Sequence, residues 1–166
     1  MDLKSYFKPL SDEIYQNQNN WQTTQIGYQI QSNNSITFPE YKYCEIALFN
    51  IREYQGSDNL FTDKECKIRK EIYSLHFDTP PRICDLGFLD LSDSRKESFK
   101  KIEEVCAELL KNGILPIVIG GGHDITYALY KSYSCLDKSI TLTSVDKKFD
   151  LGIKDEKLSN SNFFSK

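Results

Sequence analysis

The stretch that decides the fold is Ile114-Leu115-Pro116-Ile117-Val118-Ile119, which runs directly into Gly120-Gly121-Gly122-His123-Asp124. A short, uninterrupted apolar run is typical of a strand that is covered on both faces of a parallel sheet. The three glycines let the backbone turn sharply without side-chain clashes and bring His123 to the start of a helix. The segment therefore predicts a buried strand whose carboxyl end leads into a loop able to hold a ligand, as open α/β sheets do.

Strand and helix patterns alternate on both sides of this segment. Three further strands are predicted at Glu45–Ile51, Ile83–Gly87 and Ile140–Val145, and three helices at Lys64–Leu75, Ser92–Gly113 and His123–Tyr133. Ser92 and Ser94 are both candidates for the N-cap of the middle helix. The order βαβαβαβ predicts an α/β fold with three αβα layers and a parallel sheet. No strand pattern follows Asp150, so we expect an incomplete sheet of about four strands.

Residues 1–40 differ in character from the rest of the chain. They are polar and rich in amides, which predicts an N-terminal arm, while residues 41–166 are expected to form the α/β unit. Aromatic side chains are frequent in the arm, and such side chains usually pack against a protein surface. They are Tyr6, Phe7, Tyr15, Trp21 and Tyr28. We therefore expect the arm to dock on this chain or on a partner.

Composition limits the classes of partner. The 21 basic and 24 acidic residues give a net charge of −3, which favours neither nucleic acid nor an anionic membrane. The five cysteines are far apart and odd in number, so we expect reduced core thiols and a cytoplasmic location. The longest apolar run, Ile114–Ile119, is far shorter than the roughly 20 residues that span a bilayer. An unpaired edge of the incomplete sheet would either be covered by the arm or cause self-association, and a homo-oligomer is expected.

A second polar segment, Asp146-Lys147-Lys148-Phe149-Asp150, follows the last predicted strand. Its two carboxylates can turn to one side of a loop and share a divalent cation with an imidazole such as that of His123. Such a donor set suits manganese, zinc or iron, and a pair of these metals can activate water. The two loops together therefore point to hydrolysis.

At these residues the sequence resembles a known family. Gly121-Gly122-His123-Asp124 resembles the Gly-Gly-His motif of the arginase, agmatinase and formimidoylglutamase (ureohydrolase) family, and residues 146–150 resemble its Asp-Ala-His-x-Asp motif. Asp85-Leu86-Gly87 resembles the Asp-x-Gly turn after the family's second strand. The resemblance covers about residues 41–152, and the wider segments look most like the formimidoylglutamase branch.

The resemblance implies an arginase-like fold and a manganese site. In that site His123 would be a terminal ligand, while Asp146 and Asp150 would be shared carboxylates and the catalytic residues. Lys148 stands where the family has a histidine ligand, and a protonated amine has no lone pair for a metal. Lys148 could instead pair with Asp146 or Asp150 and leave the site without metal. The family's Ser-x-Asp-x-Asp motif does not occur before Lys166.

Three functions follow from these residues. The first is the amino-terminal part of an enzyme similar to formimidoylglutamase, which would hydrolyse small linear amidines or guanidines and would be inactive as these 166 residues alone. The second is a non-catalytic domain of the same fold in which Lys148 replaces a metal ligand. The third is an unrelated α/β module whose triglycine loop binds a small anion through backbone N–H groups.

Overall fold

The computed structural model describes residues 1–11, 20–55 and 65–166, apart from the side chains of residues 65 and 66. Five strands form one sheet in the order β1-β4-β3-β5, and β2 also pairs with β4. The strands are β1 (Phe7–Lys8), β2 (Gln31–Ser32), β3 (Ile46–Asn50), β4 (Ile83–Leu89) and β5 (Leu115–Ile119). The α-helices are α1 (Ile26–Gln29), α2 (Glu65–Ser74), α3 (Arg95–Lys111) and α4 (Thr126–Ser132). Short 3-10 helices span Leu3–Tyr6, Tyr41–Tyr43, His123–Ile125, Tyr133–Leu136 and Phe163–Ser165.

The centre of the sheet is the parallel trio β4-β3-β5. Ile46 of β3 lies opposite Ile83 of β4 and opposite Leu115 of β5. All but the first residue of β3 are buried, as expected for a strand covered on both faces. These three strands and the helices that connect them confirm the predicted α/β fold class. The prediction that the strand at Ile114–Ile119 is buried on both faces is wrong for β5, because β5 is an edge strand in which Leu115 is 48% exposed and Ile117 is 39% exposed. Pro116, which cannot donate a backbone hydrogen bond, lies on this edge strand, where such a loss is tolerated.

Helix α3 is the longest element, and its ends follow from local chemistry. The Ser94 side chain accepts a hydrogen bond from the Glu97 backbone N–H, which selects Ser94 over Ser92 as the N-cap. Gly113, with φ of 73°, closes the carboxyl end in the left-handed conformation. One face of the helix is buried on the sheet through Ile102, Val105, Cys106 and Leu109. The predicted helix is confirmed.

The described parts of residues 1–40 dock on this chain's own sheet. Phe7 of β1 pairs antiparallel with Leu89 of β4, and Gln31 of β2 pairs in parallel with Cys84. Leu3 and Phe7 are buried in the main core, so the predicted docking occurs. Because β1 runs antiparallel to β4, the sheet is mixed and not wholly parallel as the sequence predicted. Tyr15 and the amide run at residues 16–19 lie outside the described residues.

The strand predicted at Ile140–Val145 is wrong. These residues form no regular element and pair with no described strand, and Val145 is 99% exposed. β-Branched residues favour a strand only when a neighbouring backbone and a covering layer are present. In the described part of the chain, the edge of β5 that faces away from β3 has no partner strand.

Gly87 was predicted to end a strand at a turn, but β4 continues through it to Leu89. Its φ of 87° is in the left-handed region, and a Cβ at this position would lie 2.3 Å from the Lys8 carbonyl oxygen. The pairing of β3 with β4 shifts register between Leu48 and Asn50, beside this glycine. Gly87 therefore lets β4 bend and lets β1 approach closely.

Asp85, the first residue of the Asp-Leu-Gly segment, forms a buried ion pair with Arg69 of α2. Both side chains are fully buried, with 2.6 Å between Arg69 Nε and Asp85 Oδ2 and 3.0 Å between Arg69 Nη2 and Asp85 Oδ1. Tyr73 donates its hydroxyl to Oδ2 at 2.8 Å, and burial raises the pKa of this tyrosine. The Gly87 N–H donates to Oδ1 at 2.9 Å. The Asp-x-Gly segment thus fastens α2 to the sheet.

The cysteines with described side chains are free thiols, as predicted. Cys44, Cys84 and Cys106 are buried, and Cys135 is partly buried. Burial raises the pKa of the Cys106 thiol to about 12, so the group stays protonated at neutral pH. The side chain of Cys66 lies outside the described residues. Among the helices described, none combines the length and the hydrophobicity needed to cross a membrane.

Gly87→Ala is expected to lower the free energy of unfolding by about 2–4 kcal/mol, because a methyl group there adds backbone strain and meets the Lys8 carbonyl. Gly113→Ala is the matched control, since Gly113 also has positive φ but has no atom within 4 Å of the added carbon. It should cost only about 1 kcal/mol. Urea unfolding measures both. Equal losses in the two variants would contradict the close approach of β1 to Gly87.

Candidate metal centre

The triglycine loop after β5 brings His123 to the edge of the sheet. Gly120 and Gly121 have φ of 80° and 81°, which side chains rarely adopt. At Gly122 the restriction is space, since a Cβ would lie 2.5 Å from Asp124 Oδ1 and 2.9 Å from Asn160 Oδ1. Each glycine is therefore required, and the sharp turn predicted from the sequence is present.

The structure brings together the three side chains singled out as metal ligands. His123 Nδ1 lies 2.7 Å from Asp146 Oδ2 and 3.3 Å from Asp150 Oδ2. One ligand atom from each of the three residues lies within 4.8 Å of the others. The predicted juxtaposition holds even though no strand precedes Asp146, because the irregular segment that carries Asp146 and Asp150 lies beside the loop that carries His123.

Asp150 is the most constrained member of the cluster. It is buried, and its φ of 51° is in the left-handed region although it is not a glycine. Its Oδ2 is buried and accepts no hydrogen bond from the described residues. A buried carboxylate oxygen without a hydrogen-bond donor has an unmet polar requirement, which a nearby cation would satisfy.

Asp146 is exposed and is held in its ionised form. The backbone N–H of Lys148 donates to Asp146 Oδ1 at 3.1 Å. That hydrogen bond is the main reason why the pKa of Asp146 is lowered, and the Lys147 backbone N–H and the nearby His123 act in the same direction. The carboxylate is therefore available as an anionic ligand at neutral pH.

The Lys148 side chain does not pair with Asp146 or Asp150, contrary to the sequence-based alternative. The residue is exposed, and its amine forms no ion pair with any residue that the structure describes. An exposed ammonium is well hydrated and gains little from an ion pair in water, which explains why this pair does not form. Only the backbone of Lys148 contributes to the cluster.

An imidazole and two carboxylates are a donor set that fits one divalent cation of the manganese, zinc or iron type. The His123 side chain is 36% exposed and that of Asp150 is 5% exposed, so the cluster opens to solvent on one side only. Within the described part of the chain, this is the one group of three or more such side chains whose ligand atoms converge. These residues supply three donors for a cation and no second cluster for a metal pair.

Several residues around the cluster were not predicted from the sequence, in which no strand pattern follows Asp150. The Phe163 ring packs on His123 with 4.6 Å between ring centroids, and Phe163 is 3% exposed. Arg95 of α3 forms an ion pair with the buried Asp124. The adjacent aromatics Phe163 and Phe164 were the available signal, since two such residues in a polar segment usually pack on something.

Comparison with known proteins agrees with this geometry. Residues 23–166 match the sequence profile of the arginase family. The chain is 37% identical over 86 residues to an uncharacterised 32.2 kDa protein of Methanothermus fervidus, a match covering 49% of this chain and 29% of that protein. It is 31% identical over 105 residues to formimidoylglutamase of Staphylococcus carnosus, covering 58% of this chain and 32% of the relative.

Solved structures share the fold. A formiminoglutamase of Trypanosoma cruzi, crystallised with manganese, has a TM-score of 0.65 at 16% identity and covers 77% of this chain and 48% of its own. A putative agmatinase from Clostridium difficile has a TM-score of 0.63 at 22% identity, covering 75% and 50%. The matches span about a third of the curated relatives and about half of the solved chains. With the profile matching residues 23–166, the chain belongs to the arginase family.

Proposed function

We propose that this chain is the amino-terminal part of a ureohydrolase that resembles formimidoylglutamase and hydrolyses C–N bonds of small linear amidines or guanidines. The convergence of His123, Asp146 and Asp150 in a member of the arginase family carries the proposal. In this proposal residues 41–166 belong to the catalytic domain and residues 1–40 are an arm docked on it. We also propose a cytoplasmic homo-oligomer that binds neither nucleic acid nor membranes, which the modest net charge supports.

The three side chains have different parts in the proposed site. His123 offers Nδ1 as a neutral ligand, and Asp150 fixes one negative charge in a buried position. Asp146 is the exposed carboxylate, and its lowered pKa keeps it ionised as a second anionic ligand. When bound, manganese supplies positive charge that polarises the substrate and makes water more acidic.

A second candidate function is a non-catalytic domain of the arginase fold that binds no metal. Lys148 in place of a histidine ligand favours it. A further observation in its favour is the 2.7 Å contact between His123 Nδ1 and Asp146 Oδ2, since a direct hydrogen bond of that length lets the two groups pair without a cation. Metal binding therefore separates the two functions.

Addition of Mn²⁺ to the 166-residue chain is expected to broaden the ring resonances of His123 in NMR spectra at lower Mn²⁺ concentrations than those of His76. His76 is the other histidine of the chain, and it contacts Thr24 Oγ1 through its Nδ1 at 2.8 Å and is not a member of the His123 cluster. Asp150→Asn should reduce the broadening, because it removes the buried charge. Equal broadening of the ring resonances of both histidines, or no broadening at His123, would contradict the proposed metal site and favour the second function.

Lys148→His is expected to tighten Mn²⁺ binding by about tenfold or more, because it replaces a cation with a neutral ligand beside the cluster. Lys147→His is the matched control, since Lys147 is also exposed but does not occupy the position of the family's histidine. Isothermal titration with Mn²⁺ measures both variants. Unchanged affinity in Lys148→His, or the same gain in both variants, would contradict the assignment of position 148.

The 166-residue chain alone is expected to show no manganese-dependent hydrolysis of formimidoylglutamate, agmatine or arginine. The reason is that three ligands converge among the residues that the structure describes, which is too few to enclose two metals. Formamide release measures turnover of formimidoylglutamate, with the Staphylococcus carnosus formimidoylglutamase as the positive control, and urea release measures turnover of agmatine or arginine. Metal-dependent product formation by this chain would refute the expected inactivity.

A further inference from the structure

The chain after Asp150 folds back on itself into a closed loop, which we call the clasp (residues 152–165). The Gly152 N–H donates to the Ser161 carbonyl at 2.8 Å, and Ser165 Oγ donates to the Gly152 carbonyl at 2.9 Å. Asn162 is 1% exposed, and its amide donates to the carbonyls of Ile153 and Lys157. The clasp is therefore an ordered unit that begins two residues after Asp150.

The clasp contacts the loop that carries His123 (residues 120–124, the His123 loop) at two points. The Asp124 backbone N–H donates to Asn160 Oδ1 at 3.0 Å, across 36 positions of sequence. The Phe163 ring lies against the His123 imidazole. Since a Cβ at Gly122 would meet Asn160, the clasp also fills the space beside the glycine turn.

Arg95 of α3 connects the His123 loop and the clasp. Its guanidinium pairs with the fully buried Asp124, and its Nη1 donates to the Leu158 carbonyl of the clasp at 2.7 Å. Its Nε lies 3.8 Å from Oε2 of Glu53, which is 4% exposed and follows β3. One guanidinium thus joins α3, the segment after β3, the His123 loop and the clasp, as its planar set of five donors allows.

We propose that Asn160 and Arg95 are positioning residues of the His123 site. Three successive glycines give the loop before His123 little rigidity of its own, so its conformation has to be fixed from outside. Asn160 and Arg95 fix it through the backbone N–H and the carboxylate of Asp124, the residue next to His123. Because the clasp starts beside Asp150, the same contacts set the 3.3 Å separation of His123 Nδ1 and Asp150 Oδ2.

This inference rests on the proposed metal site, but its structural part is measurable without metal. Asn160→Ala removes the acceptor for the Asp124 N–H and leaves every ligand in place. Asn33→Ala is the matched control, because Asn33 also holds a distant backbone group, the Leu86 carbonyl at 2.9 Å, but lies away from the cluster. Both substitutions should lower the urea midpoint of unfolding by a similar amount, because each removes one side-chain hydrogen bond that is at least partly buried.

In the metal-free chain, nuclear Overhauser contacts between the rings of His123 and Phe163 report the position of His123. They should weaken in Asn160→Ala and persist in Asn33→Ala. Mn²⁺ affinity should fall by about tenfold in Asn160→Ala and remain at the wild-type level in Asn33→Ala. Ring contacts and affinity that are unchanged in Asn160→Ala would overturn the positioning role.

Arg95→Lys provides a second variant that keeps the positive charge beside Asp124 but cannot reach the Leu158 carbonyl at the same time. Arg95→Lys should lose part of the contact between the rings of His123 and Phe163 and part of the Mn²⁺ affinity. An unaltered ring contact would overturn the positioning role of Arg95. If the wild-type chain binds no Mn²⁺ while Asn160→Ala still loses the ring contact, the proposed function fails and the positioning role stands.

Discussion

The carboxylate of Asp85 is the buried charge on which the arrangement of the sheet depends. It lies in the middle of β4, the strand that pairs with β1, β2 and β3, and it is fully buried. An isolated charge in that position would cost several kcal/mol, so its partners are obligatory. Arg69 and Tyr73 come from α2, while the Gly87 N–H comes from the same strand. Arg69 also donates to the Gly87 carbonyl at 3.1 Å and so supports the left-handed bend beside β1.

A second network of buried charges lies next to the candidate metal centre. Arg95 compensates two carboxylates, Asp124 and Glu53, that are almost wholly buried. Buried pairs of this kind contribute less to stability than to the choice of one arrangement over others, and here the arrangement concerns the loop that carries His123. Among the candidate ligands, Asp150 is buried and Asp146 is open to solvent. In the proposed function, the solvent-exposed side of these ligands would be the side that admits a small substrate.

At Lys148 the side chain differs from the histidine of the family motif, but the backbone still supports the cluster. Its N–H supports the Asp146 carboxylate whatever the side chain is, so the loop can keep its shape after the family's histidine is lost. The ammonium remains exposed and leaves the three donors free to converge. A lysine at this position is thus compatible with the observed cluster, and in the proposed function its cost would fall on metal affinity and not on the fold.

The sequence by itself determined the three central strands, helix α3 and the glycine turn, because uninterrupted apolar runs, a 3.6-residue stripe and left-handed glycines are local signals. It also predicted that His123 would meet Asp146 and Asp150, but the basis of that prediction, a strand leading into Asp146, is wrong, because residues 140–145 form no strand. Only the tertiary structure decided that the two-residue strands β1 and β2 join β4, that residues 140–145 stay unpaired, and that Asn160, Arg95 and Phe163 surround His123. Two-residue strands have no periodicity to detect, and a strand or a hydrogen bond between distant segments depends on which edges and donors the folded chain leaves available.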